Sequence, residues 1–263
     1  MKSDRYRFFY KLTKHPLLNT ALSVTRTIAR PPLMLLLAPF LGRVTYFMMG
    51  TITNKNCDFQ VEPKFFEAYK AAMGQHYMPD TDIWRYHINH WAAKHAMELE
   101  GDFVECGVNR GSTAMSNIVY TRFEQYPGRK YYLFDTFNGL DEKVSTKDEY
   151  ERLKGHYEDC YGFVVRSFSP YPNVVVVRGT VPETLEQMKI ERVAYLSIDM
   201  NCAYPEEKAM EYFWPKMVKG GVIVLDDYGW PMCEEQKAAA DRFAKKVGAM
   251  IMCLPNGQGI IIK

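Results

Sequence analysis

From Gly101 onward the sequence alternates short apolar runs with stretches of helical spacing, and few folds accept that alternation. The runs are Phe103–Cys106, Tyr131–Phe134, Val174–Val177, Ala194–Ile198 and Val222–Leu225, followed by Ala249–Cys253 and Gly259–Ile262. Short, mostly apolar runs of this length suit strands covered on both faces. Helices fit between them at 112–125, 183–189, 205–218 and 233–247. The predicted fold class is therefore α/β: a doubly wound, mostly parallel seven-stranded sheet of Rossmann-like type, with an N-terminal helical arm ahead of it. Trp84, Ile88, Trp91 and His95 share one face of a helix that Asp80 or Asp82 can cap and Gly101 can close. His87, His90 and His95 ride on that helix at spacings that do not converge on one point, so no metal is assigned to them. The stretch 136–170 is long, polar and aromatic, which favours a lid or inserted helices over an idle loop.

Hydrophobic residues at 47% and charged residues at 24% supply a globular core and exclude a disordered chain. Lys and Arg total 33 against 31 Asp and Glu, so the general basic field of a nucleic-acid binder is missing. The charge is uneven: residues 1–30 carry a net +6 and the remainder −4. A basic arm beside the apolar segment Pro31–Met49 suggests peripheral contact of residues 1–50 with a membrane surface. Pro31, Pro32, Pro39 and Arg43 break that segment too early for a comfortable span. The alternative is docking on the protein's own core or on a second copy, as a homodimer. Residues 1–80 are thus set apart as a basic, apolar arm with cap helices, and 81–263 as the domain that carries chemistry. The six cysteines are spread singly along the chain, as expected for reduced thiols in a cytoplasmic protein.

In open α/β sheets, ligands bind beyond the carboxyl ends of the strands. The first run ends Glu105-Cys106-Gly107-Val108-Asn109-Arg110-Gly111-Ser112. Gly107 and Gly111 permit a tight turn and close approach of a ligand to the backbone. The pattern lacks the three-glycine spacing that cradles a pyrophosphate, and a carboxylate stands just ahead of it. Glu105 suits a cofactor with positive charge, such as the ammonium and sulfonium of S-adenosylmethionine. Asp135 ends the second run, where an acid can accept both hydroxyls of a ribose or, more plainly, cap the next segment. Asp199 ends the fourth run and Asp226-Asp227 the fifth. Three ionised carboxylates at neighbouring strand ends repel one another unless a cation joins them. An all-oxygen set suits Mg²⁺ better than Zn²⁺, although Asp is also a common helix cap.

The segments E-C-G-V-N-R-G-S, L-F-D-T-F-N-G-L, S-I-D-M-N and V-I-V-L-D-D-Y-G occur in that order, and with them the chain from about 82 to 263 resembles the macrocin and mycinamicin O-methyltransferase family. The resemblance implies the class I S-adenosylmethionine-dependent fold and Mg²⁺-assisted methylation of a hydroxyl on a small-molecule or glycan substrate, a sugar or glycoside. It implies Glu105, Gly107, Gly111, Ser112 and Asp135 as cofactor residues, and Asp199, Asp226 and Asp227 as the metal set. The segment from Arg178 to Leu185 is similar to a family segment near the adenine. Asp199 is the expected catalytic base, with His156 as second candidate. Two positions depart from the family pattern: Asn201, where a second acid is usual, and Asn109, where an aromatic residue is more frequent. Two other classes compete. A nicotinamide-dependent oxidoreductase would use a similar sheet but needs the missing third glycine, and a non-catalytic membrane-associated scaffold would keep the sheet without the chemistry.

Overall fold

The computed structural model describes residues 39–40, 44–48, 51–76 and 82–263. Residues 1–38, and with them the basic arm and the start of the apolar segment, lie outside the described residues. The chain divides into two units, 1–58 and 59–263. In the first, strands β1 (Tyr46–Met48) and β2 (Thr51–Thr53) form an antiparallel pair. Among the described residues, no helix is long and apolar enough to cross a membrane.

The second unit begins with helices α1 (Pro63–Met73) and α2 (Ile83–Met97). Proline opens α1, where its missing N–H costs nothing. Of the two acids ahead of the helical spacing, Asp82 caps α2 by accepting from the Arg85 N–H. The sheet follows: β3 (Asp102–Cys106), β4 (Tyr131–Asp135), β5 (Val174–Arg178), β6 (Val193–Ile198), β7 (Met217–Leu225), β8 (Met252–Cys253) and β9 (Gly259–Ile262). Their spatial order is β5-β4-β3-β6-β7-β9-β8, with β9 alone running against the others. The order reverses between β3 and β6, which opens a crevice at their carboxyl ends.

Helix α3 (Ser112–Thr121) follows β3, and α4 (Lys147–Leu153) and α5 (Tyr161–Phe168) lie between β4 and β5. Helix α6 (Ala203–Phe213) follows β6 and α7 (Glu234–Val247) follows β7. Alternation along the strands divides the core into two layers. Phe103, Tyr131, Leu133 and Val224 face α2, α3 and α5, while Val104, Phe134, Leu196 and Ile223 face α6 and α7. Every one of these eight side chains is fully buried.

Three expected elements are shorter than their patterns predicted. The helix expected at 112–125 ends at Thr121 and continues as a separate turn over Phe123–Gln125. The one at 205–218 ends at Phe213, because Pro215 opens a new short turn over Trp214–Lys216. The segment 183–189 forms no α-helix, only the turn Leu185–Gln187. There the Thr184 hydroxyl bonds back to the Thr180 carbonyl, and Ile190 must reach a buried position ahead of β6. The 136–170 stretch carries the two inserted helices α4 and α5.

Candidate active site

The ends of β3, β4, β5, β6 and β7 open onto one pocket at the reversal of strand order, with a cavity of about 280 Å³. Glu105, Gly107, Ser112, Asp135, Asp199, Asp226 and Asp227 all line it. Gly111 does not line it but shapes the turn beside it. The cofactor and metal residues expected from the sequence therefore converge on one cavity.

One half of the pocket is the β3–α3 turn. Gly107 has φ +88°, and a Cβ there would lie 1.9 Å from the Asp199 carbonyl oxygen, so only glycine fits. At Gly111 (φ +82°) a Cβ would meet the Phe168 ring at 2.4 Å. Asp135 ties this turn to the start of the β4–β5 connection. Its Oδ2 accepts from the N–H groups of Val108 (2.6 Å) and Asn109 (2.7 Å). Its Oδ1 accepts from the Phe137 N–H (2.6 Å) and the Thr136 hydroxyl (3.3 Å). A carboxylate offers about four such positions, so a ribose diol would have to share or replace the longest of these bonds. Glu105 is 2% exposed and accepts from the Tyr131 hydroxyl at 2.9 Å. Burial pushes its pKa up to about 8, against the pull of that hydrogen bond.

The other half is acidic. One oxygen from each of Asp199, Asp226 and Asp227 lies within 4.8 Å of the others. Asp199 accepts from the Asn201 side-chain amide at 3.1 Å, and Asn201 itself sits at φ +57°. Asp226 accepts from the Gln258 amide at 3.0 Å. Arg85, from the first turn of α2, reaches both acids: its Nε donates to Asp226 Oδ1 at 2.9 Å and its Nη2 to Asp199 Oδ2. The Oδ2 of Asp227 is buried without a hydrogen-bond partner. Burial, then the Asp226 charge, hold the Asp199 carboxyl well above the usual range, and Arg85 opposes them. The same two causes push Asp227 up to about 7, opposed by Arg85 and Arg152.

The inserted segment covers the pocket with Tyr157, Glu158 and Cys160. It is fastened beside the acids by Glu149. The Oε2 of Glu149 accepts from the Thr146 N–H in a capping box, and its Oε1 accepts from the Ala203 N–H at the start of α6, both at 2.8 Å. His156 is exposed and does not line the cavity, which removes the second candidate for a base. The three helix histidines pack instead of converging: His90 is buried against Tyr120 and bonded to Ser116, His87 stacks on Phe59, and His95 meets the Gly220 carbonyl. Sequence reasoning missed Arg85, Gln258 and Glu149. For Arg85 and Gln258 nothing local marks the role; Thr146-x-x-Glu149 reads as a capping box, but the second partner of Glu149, like those of Arg85 and Gln258, lies at least 32 residues away.

This architecture is that of the class I methyltransferases. The O-methyltransferase NovP matches it with a TM-score of 0.63 at 20% identity, over 74% of this chain and 88% of that one. The calicheamicin methyltransferase CalS11 matches with 0.52 at 16% identity, over 81% and 99%. A model of the macrocin-O-methyltransferase (TylF) family matches residues 87–252, and the chain belongs to that family. Its relatives include the mycinamicin III 3''-O-methyltransferase of Micromonospora griseorubida, 25% identical over 52% of this chain and 59% of the relative. The demethyldecarbamoylnovobiocin O-methyltransferase of Streptomyces niveus is 26% identical over 56% of this chain and 60% of the relative. The matched region spans somewhat over half the length of these curated relatives.

Proposed function

We propose that this chain transfers a methyl group from S-adenosylmethionine to a hydroxyl of a sugar or glycoside, assisted by Mg²⁺. The observation that carries this reading is the meeting of the glycine turn and the three-acid cluster in one cavity. The printed activities of the family relatives, O-methylations in the mycinamicin and novobiocin series, support the acceptor class. The donor set fits the metal: three hard carboxylate oxygens are gathered, and Asp227 Oδ2 is buried without a hydrogen-bond partner among the described residues.

When bound, S-adenosylmethionine brings the activated methyl group and Mg²⁺ lowers the pKa of the acceptor hydroxyl. The protein's own part is placement. Gly107 lets the backbone close on the cofactor, while Glu105, Ser112 and Asp135 hold its charged and hydroxyl groups. Asp199, Asp226 and Asp227 would hold the metal, and Asp199 would take the hydroxyl proton as the oxygen–carbon bond forms and the sulfur–carbon bond breaks, leaving S-adenosylhomocysteine. The inserted segment keeps water from the reacting atoms. We include in the proposal that the basic arm rests the protein on an anionic membrane, and that its apolar segment serves a homodimer if it does not.

Asp226→Ala and Asp199→Asn are expected to abolish transfer while binding S-adenosylhomocysteine with near-native affinity in calorimetry. EDTA is expected to stop the wild type. Full activity in EDTA together with active variants would refute the metal-assisted reading.

A further inference from the structure

The acid cluster already contains a cation. Arg85 is anchored on α2, outside the residues the family model matches, yet its guanidinium spans Asp199 and Asp226. Those acids stand 114 and 141 residues further along the chain. A fork of fixed geometry suits two carboxylates held side by side. Without it, two neighbouring carboxylates would face each other with no cation between them.

We propose that Arg85 is a resident counter-cation that a divalent metal must displace, so that metal enters this site by exchange. This deepens the metal-assisted reading and rests on it. Three observations support exchange over permanent structural pairing. First, Arg85 holds one oxygen from each of two of the three acids gathered within 4.8 Å, the place a shared ion would take. Second, each of these acids is also held by a neutral amide, Asn201 on Asp199 and Gln258 on Asp226. The amides keep the carboxylates oriented when the guanidinium leaves. Third, the Arg85 side chain is 25% exposed and lines the cavity, so it can swing into the pocket without opening the core. Asn201 belongs to the same device. An acid there would add a fourth negative charge and hold the guanidinium more firmly, whereas the amide fixes Asp199 and adds no charge. Arg85 is here a positioning residue: it holds Asp199 and Asp226 together until the metal arrives.

The test is Mn²⁺ binding to the metal-free full chain, read from the electron paramagnetic resonance signal of the free ion at physiological salt. Arg85→Met keeps the length of the side chain and removes the charge, and is expected to bind Mn²⁺ at least roughly tenfold more tightly than wild type, since a like charge beside the dication is gone. Arg85→Lys keeps the charge and should bind close to wild type. Equal or weaker binding by Arg85→Met overturns the proposal. Because that variant can fail to fold, wild-type crystals soaked with Mn²⁺ give an independent reading. An anomalous peak between the acids with Arg85 turned away supports exchange. A peak there with Arg85 still on both acids overturns exchange alone and leaves the metal reading standing. Absence of Mn²⁺ from the cluster in crystals and in every folded variant overturns both.

Discussion

At the scale of single residues, the chemistry depends on carboxyl groups in places that disfavour charge. Glu105 is the clearest. Its pKa of about 8 in the fold lies above the ordinary 4.5, so the proton it keeps stabilises the native state fully below pH 4.5. That contribution is lost as the pH rises through 8. Glu105→Gln retains an acceptor for the Tyr131 hydroxyl and removes the ionisation. Urea unfolding is expected to show the variant gaining on wild type between pH 5 and pH 8, by on the order of 3 kcal/mol. A pH-independent difference would mean that Glu105 ionises as an ordinary carboxylate. The acids were legible in the sequence because strand ends are where open α/β sheets put their ligands: Asp135, Asp199 and Asp226-Asp227 follow apolar runs, and Glu105 is the last residue but one of its run. Arg85 was not, because its role comes from tertiary approach; on α2 it reads as one more charged residue among polar neighbours.

At the scale of elements, the covering segment is joined to the acidic half of the pocket by one side chain. Glu149 is 4% exposed, serves the cap of α4 with one oxygen and the first N–H of α6 with the other. Glu149→Ala leaves both N–H groups without that partner, at a cost of about 1–3 kcal/mol. The expected result is a lower melting temperature and a KM for the acceptor that rises more than that for S-adenosylmethionine, measured by steady-state kinetics. An unchanged acceptor KM would separate the segment from acceptor binding. The length, polarity and aromatic content of 136–170 announced an inserted element, but not where it docks, since the partner of Glu149 lies 54 residues further on. The failed helix at 183–189 shows the opposite limit. Good local propensity there gives way to the short path from β5 to β6 and to the Thr184–Thr180 bond.

At the scale of the whole molecule, the alternation of apolar runs and helices was enough to give the seven strands, and the handedness of parallel crossovers leaves few orders for them. What the pattern did not carry was the length of β8, reduced to Met252–Cys253, with Met250 standing 85% exposed just ahead of it. The proposed lipid contact belongs to this scale, because it concerns an arm and a body with opposite charge. Deletion of residues 1–50 is expected to abolish co-sedimentation with phosphatidylserine vesicles and to leave S-adenosylhomocysteine binding intact, since the body forms its own compact unit from Phe59 onward. Equal sedimentation of the two forms would exclude the arm as a lipid anchor.

The close approach at Gly107 has a consequence for how such a protein can change. The backbone of the glycine turn and the backbone that presents Asp199 press against each other with no side chain between. A shift of one is transmitted to the other almost undiminished. On the proposed reading, donor and ion are thus mechanically wedded, and a lineage refining its grip on either must retune both.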